Sequence, residues 1–425
     1  MRRYLKQAPV RKFGFSSQIT DRVRAMLADI AEKRDEAVKR YARELDGWEG
    51  DEFRVSEEQV YEAAEMLPQS FKEDFAEAHR RVTEFAARQR ESMREFEVEI
   101  ESGIRLGQKL IPIESVGCYV PGGRYPLVAG AIMNIATARA AGVGKVIACA
   151  PARGVDGIYP PTLYAMHQSG AHEIYALGGV QALAAMAYGC VGMPRVDLVS
   201  GPGNPYVAEC KRQLFGTVGI DLLAGPTEIC VIADHTAEAS LVAADLLGQA
   251  EHGPDSPAWL ITTTESLGRA VLEQIEEQLK TLPSAKIAGV AWRDYGEVTV
   301  VDSDDEAIAA SDEYAPEHLE VMTARNEYYL QRLRNYGSLF LGEESTVAYG
   351  DKAVGTNHIL PTGRAARYTG GLWVGKFIKT VTYQRLTPKA SARLAPVVSR
   401  ICELEGMLAH KITADIRVDR YRAPD

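Results

Sequence analysis

The chain has 425 residues, 46% of them apolar and 25% charged, with a formal net charge of −10. This is the composition of an ordinary globular protein, long enough for two to four structural units. A negative balance without a Lys/Arg-rich face gives a nucleic-acid backbone no footing, and no run of about 18 apolar residues is present to cross a membrane.

The N-terminal MRRYLKQAPVRKFG carries basic residues with no apolar segment after them, so a cytoplasmic location is expected. Over the first hundred residues the pattern is helical: Val23, Met26, Leu27, Ile30, Val38, Tyr41 and Leu45 recur at helical spacing and stop at Asp46-Gly47. Ser56-Glu-Glu-Gln59 and Ser70-Phe-Lys-Glu73 are capping-box signatures that predict two further helices. Phe71, Phe75, Val82 and Phe85 line one face of the second, with His79 packed near that face and the run Arg80 to Arg94 as its solvated side.

From about residue 115 short β-branched runs alternate with Gly/Pro turns and helices. Ser115 to Val120, Lys145 to Ala150, Glu173 to Leu177 and Val196 to Ser200 form one series; Glu228 to Asp234, Trp259 to Thr262, Glu297 to Val301 and Ser338 to Leu341 form a second. Repeated βα units predict an α/β fold with two tandem Rossmann-like parallel sheets. The expected division is an N-terminal helical region over 1–105, a first Rossmann-like domain over 106–228, a second over 229–375, and a helical C-terminal tail over 376–425.

Pro121-Gly-Gly123, Gly178-Gly179 and Gly201-Pro-Gly-Asn204 stand at strand ends, where backbone N–H groups and helix N-termini suit a pyrophosphate. None is a GxGxxG or GxxxxGK[ST] motif, so these glycines read equally as tight strand-to-helix turns. The six cysteines (Cys118, Cys149, Cys190, Cys210, Cys230, Cys402) form no CxxC pair and read as small buried hydrophobes, with Cys118, beside a glycine turn, the best candidate for a thiol nucleophile.

Four of the eight histidines sit beside carboxylates or amides. Gln249 and His252 are three residues apart at a helix end, a spacing that puts an amide oxygen and an imidazole on one face. Glu317 and His318 are adjacent after Pro316 and offer two proton acceptors of different basicity. Asp351 and His358 lie in a glycine-rich loop, and Glu405 and His410 close the series near the C-terminus. Each pair alone also fits a solvated helix end or an exposed loop, and His167, His172 and His235 occupy ordinary helix or turn contexts.

Taken in order, the words Gly117-Cys-Tyr-Val-Pro-Gly-Gly123, Leu177-Gly-Gly-Val-Gln-Ala182, Gly201-Pro-Gly-Asn204, Ala224-Gly-Pro-Thr-Glu228, Gln249-Ala-Glu-His252, Pro316-Glu-His-Leu-Glu320, Gly355-Thr-Asn-His358 and Glu405 to His410 resemble the histidinol dehydrogenase family over nearly the whole chain. The resemblance implies one zinc ion per site on Gln249, His252, Asp351 and His410, and two uses of NAD as a primary alcohol passes through a retained aldehyde to a carboxylate. It implies His318 and Glu317 as proton acceptors, Tyr119, Gln181 and Asn204 as NAD contacts, and Thr227, His358 and Glu405 as substrate contacts, joined by Gln249, His252, His318, Asp351 and His410. It also implies a homodimer in which His410 completes the partner's site.

Thr227 stands where the family usually has serine, and Lys352 follows Asp351 where histidinol-oxidising members more often carry an aromatic or apolar residue. Several words, among them Ala291-Trp-Arg-Asp-Tyr-Gly296 and Gly350-Asp-Lys352, look more like the branch that oxidises sulfopropanediol to sulfolactate. Lys352, with Arg364 or Arg367 assisting, is the expected contact for an anionic head group. Oxidation of L-histidinol, or a non-catalytic zinc-binding paralogue, are the alternatives.

Overall fold

A computed structural model describes residues 2–9, 16–50, 52–122, 125–153 and 157–421. Gly123 of the first glycine turn, and residues 1 and 10–14 of the N-terminal segment, lie outside them. The chain divides into two compact units, Met1–Arg88 with Ile113–Phe377, and Gln89–Pro112 with Ile378–Asp425.

In the first unit, five parallel strands run in the order Glu173–Ala176, Lys145–Ala150, Ser115–Tyr119, Leu198–Ser200, Gly219–Ile220. The chain steps outward from Ser115–Tyr119 in one direction and returns to its other side at Leu198–Ser200, which creates a switch point with a crevice at the carboxyl ends of those two strands. A second sheet has the order Arg3–Lys6, Gly296–Val300, Ala258–Thr262, Ile229–Ala233, His318–Met322, Ser338–Leu341. It is parallel except for Arg3–Lys6, which pairs antiparallel along one edge.

Alternation along a strand feeds two cores at once. Ile229, Val231 and Ala233 pack with Val242, Leu246 and Leu247 on one face, while Cys230 and Ile232 pack with Ile308, Tyr314 and Leu319 on the other. Both faces are therefore covered, which is why Ile229–Ala233 is buried throughout and reads in sequence as an unbroken apolar run.

The structure corrects several local expectations. The helical run from Val23 to Leu45 is two helices, Ser17–Lys33 and Asp35–Asp46, broken where Arg34 takes φ 52. The capping box at Ser56 forms with Gln59, but Ser70 lies inside the first turn of the helix Gln69–Glu91. His318 begins a strand rather than sitting in a loop, and Asp351 lies in the short helix Val347–Lys352 rather than in a glycine-rich loop. All six cysteines are buried, and burial pushes the Cys118 thiol well above its ordinary value, which disfavours the thiolate a nucleophile needs.

The second unit contains strands that helical periodicity missed. Ile378–Leu386, Ile104–Pro112 and Phe96–Glu101 form an antiparallel sheet in that order, joined by the helices Pro388–Leu404 and Leu408–Tyr421. No helix among the described residues is long and apolar enough to cross a membrane.

Candidate active site

A cavity of about 820 Å³ opens within the first unit. One part of its wall comes from the switch point of the first sheet, with Tyr119, Pro121, Gly179, Gln181 and Asn204; another comes from Gly225, Thr227 and His252, beside the amino ends of the second sheet. Tyr119 ends its strand and its hydroxyl accepts from Gly179 N at 3.2 Å. Asn204 caps the helix Pro205–Leu214, its Oδ1 accepting from Tyr206 N and Val207 N. Gln181, in the first turn of Gly179–Tyr188, donates from Nε2 to Asp46 Oδ2 at 2.8 Å, while its Oε1 is buried without a hydrogen-bond partner.

Gly201 is fixed by geometry: at φ +122 its backbone passes so close to Tyr119 that a Cβ would lie 2.1 Å from the Tyr119 carbonyl oxygen. A buried ion pair holds it there. Lys211 Nζ donates to Gly201 O at 2.8 Å and to Asp221 Oδ1 at 2.6 Å, and Asp221 Oδ2 accepts from Gly201 N at 2.8 Å.

At the amino ends of the second sheet, the register sets His318 opposite Ile229, which brings Thr227 and Glu228 against Glu317. Glu317 Oε2 accepts from the Thr227 hydroxyl at 2.5 Å and from Glu228 N at 2.9 Å. Gln249, in the last turn of Ala239–Ala250, donates from Nε2 to Thr227 Oγ1, so the amide carbonyl is its remaining acceptor. His318 Nδ1 lies 3.0 Å from the Glu228 carbonyl. A carbonyl only accepts, so Nδ1 carries the proton and Nε2 is the basic nitrogen of the neutral ring. That Nε2 is buried without a hydrogen-bond partner, 3.7 Å from Asp351 Oδ1.

The electrostatics are those of a crowded, partly desolvated site. Burial alone would lower the His318 pKa, but the Glu317 and Asp351 carboxylates together outweigh it and raise it well above the ordinary value. Burial works against ionised Asp351, yet His318, His358 and Lys352 hold its carboxyl far below the usual range. Burial lowers His252 and His358 against the pull of Asp351, so both favour the neutral, metal-ligating form. His358 Nδ1 is 2.8 Å from the Asp351 carbonyl oxygen. Glu228 is pushed up to about 8 by burial and by Glu317.

The first unit thus gathers Thr227, Gln249, Glu317, His318, Asp351 and His358 through direct contacts, with His252 in the field of Asp351 and Glu317. Lys352 Nζ stands 3.8 Å from Asp351 Oδ2 with its side chain 57% exposed. Arg367 donates to the Asp312 and Glu313 carbonyl oxygens at a helix end, and Arg364 adopts φ 69 at the start of a short 3-10 turn. Glu405 and His410 belong to the second unit, at the end of Pro388–Leu404 and the start of Leu408–Tyr421, and both are exposed. Among the described residues no three His, Cys, Asp or Glu side chains stand close enough to hold a metal ion.

Sequence reasoning missed Asp46, Lys211 and Asp221. Asp46 ends a helical pattern whose only message is that the helix stops, and Lys211 lies on a helix where a lysine ordinarily signals solvent.

The family model for histidinol dehydrogenase matches residues 11–418. A histidinol dehydrogenase homolog of Shouchella clausii is 51% identical over 405 residues, 95% of each chain. The sulfopropanediol 3-dehydrogenase of Ruegeria pomeroyi is 46% identical over 420 residues, covering 98% of this chain and 96% of that one. The crystal structure of histidinol dehydrogenase from Elizabethkingia anophelis superposes with a TM-score of 0.91 at 35% identity, over 98% of this chain and 95% of that chain. On sequence and fold this chain is an oxidoreductase and belongs to the histidinol dehydrogenase family.

Proposed function

We propose that the protein is a zinc-dependent, NAD-linked dehydrogenase that takes a primary alcohol through a retained aldehyde to a carboxylate, with (R)-2,3-dihydroxypropane-1-sulfonate as the substrate and sulfolactate as the product. The observation that carries this reading is His318: a buried imidazole with its tautomer set by the Glu228 carbonyl, its Nε2 unpartnered, and two carboxylates beside it. A binding protein has no need of an unsatisfied base in a buried site.

The residues present fit both absent groups. The 820 Å³ cavity, the Gly201 turn that no Cβ could enter, and the orphaned Gln181 Oε1 suit a dinucleotide. The Gln249 carbonyl oxygen, neutral His252 and ionised Asp351 are oxygen and imidazole donors that suit zinc in a catalytic site, with His410 of a second copy as the fourth ligand. Bound NAD supplies the hydride acceptor for each oxidation and zinc the Lewis acid for the substrate oxygen.

The chain's own groups handle the protons. His318 Nε2 takes the alcohol proton in the first oxidation. With Asp351 holding a cation, one of the two carboxylates that favour the protonated ring would be withdrawn from it. Glu317 then takes a proton from the water that adds to the aldehyde, and the gem-diol formed is the substrate of the second oxidation. Thr227 and Glu228 N hold one Glu317 oxygen, leaving the other as the base. Thr227, His358 and Lys352 bind the substrate, with Tyr119, Gln181 and Asn204 on the dinucleotide.

A second copy of the chain is the proposed partner, in the cytoplasm. The helix pair of the second unit leaves Val397, Ile401, Leu404, Leu408, Ile412 and Ile416 between 43% and 90% exposed, an apolar face that a second copy covers.

The test is NADH formation by the zinc-loaded protein with the sulfonated diol and with L-histidinol in parallel. Two NADH per sulfonate, with histidinol inert, are expected; turnover of histidinol alone overturns the substrate, and no NADH from either overturns the enzyme reading. Lys352 supports the sulfonate because it places an exposed cation next to the Asp351 carboxylate, at the end of the helix Val347–Lys352. In Lys352→Ala the KM for the sulfonate should rise about three- to tenfold with kcat little changed, the modest figure reflecting solvent screening. An unchanged KM would remove Lys352 from the substrate site.

A further inference from the structure

Two acidic side chains stand in the cavity wall, Asp46 and Asp255, and Asp46 is the one bonded to the glycine turn beside Gln181. Asp46 ends the helix Asp35–Asp46, ahead of Gly47 at φ 64. It reaches the turn at Gly178-Gly179, where its Oδ2 accepts from Gly178 N at 3.2 Å and from Gln181 Nε2 at 2.8 Å. Its Oδ1 takes part in neither bond. Beside it, Gln181 is 1% exposed, and its Oε1, which would lie 3.1 Å from a Cβ on Gly179, is buried without a hydrogen-bond partner.

Two acceptors side by side select a ligand by its chemistry. A carboxylate oxygen and an amide carbonyl take hydroxyl or amine donors and have nothing to give a phosphate, which brings acceptor oxygens and negative charge. The helix Gly179–Tyr188 would by itself favour an anion at its N-terminus. That position is already occupied by the Asp46 carboxylate. Arg22 also lines the cavity and is the cation that would favour an extra phosphate, but it is exposed and screened, whereas Gln181 is buried and its bond to Asp46 half-buried.

We propose that Asp46, acting with Gln181, reads a ribose diol of the bound dinucleotide and makes the cavity select NAD over its 2′-phosphorylated form. The inference rests on the dehydrogenase reading for the identity of the ligand, but not on the alcohol that is oxidised.

Equilibrium titration of NADH and NADPH by fluorescence tests it without turnover. The wild-type protein should bind NADH at least about tenfold more tightly than NADPH, and Asp46→Asn, which retains an acceptor for Gly178 N, should lower that ratio about tenfold through weaker NADH and stronger NADPH binding. Asp46→Ser serves as the second variant if the first fails to fold. An unchanged ratio in a folded variant reduces Asp46 to a helix cap and overturns the inference, as does wild-type protein that prefers NADPH. Protein that binds NADH selectively yet oxidises no alcohol would sink the proposed function and leave Asp46 in its role; protein that binds neither dinucleotide would sink both.

Discussion

Replacing His318 by asparagine is expected to lower kcat about a thousandfold while leaving dinucleotide affinity and thermal stability close to wild type. Asparagine can keep an N–H donor near Nδ1 and so preserve the bond to the Glu228 carbonyl, but it has no counterpart to Nε2. The variant therefore removes the base while keeping the buried hydrogen bond. Glu317→Gln sharpens the assignment. A glutamine carbonyl can still accept from the Thr227 hydroxyl and Glu228 N, so the change takes away the charge more than the scaffold. Its effect should fall on the aldehyde-to-acid half, seen in single turnover as one NADH formed at near-normal rate and the second slowed about a hundredfold. Equal slowing of both halves would mean that Glu317 acts through His318, to which it lies 3.4 Å away, and not on water.

What could be read from the sequence depended on whether the signal was local. Lys145–Ala150 and Ser338–Leu341 were legible to the residue because each strand is a short, mostly apolar run bounded by turns. Phe96–Glu101 alternates just as plainly, yet every one of its residues is exposed and its charges resemble the helical charge run before it. The Glu317-His318 pair was legible as chemistry but not as structure. Only the pairing of His318 with Ile229 shows that both residues stand at the amino end of a buried strand, against Thr227 and Glu228. Ligand sites in open α/β sheets are expected at the carboxyl ends of strands, where the first sheet carries Tyr119 and Gly201. The site proposed on the second sheet lies at the amino ends instead, and no periodicity within a strand distinguishes its two ends. The family resemblance supplied the residues at that edge; the geometry supplies the reason they face one another.

The buried pair behind the Gly201 turn should govern stability and coenzyme binding together. Lys211→Met is expected to destabilise the protein by about 3–5 kcal/mol, because it leaves the Asp221 carboxylate buried and uncompensated, and Asp221 is only 3% exposed. Methionine roughly conserves the volume of the lysine stem, so the loss reports charge and hydrogen bonding rather than a cavity. The double variant Lys211→Met/Asp221→Asn should recover part of that loss, since the amide is neutral and its carbonyl can still accept from Gly201 N. Melting curves of the three proteins decide the point: a double variant no better than Lys211→Met would show that the pair acts through something other than mutual charge compensation. Coenzyme affinity should not recover in parallel. The Gly201 carbonyl still lacks its Lys211 donor in both variants, and a turn held against the Tyr119 carbonyl without room for a Cβ depends on both of its backbone groups being held. Stability restored without binding restored would separate the two tasks of the pair, folding the sheet edge and shaping the turn that the dinucleotide meets.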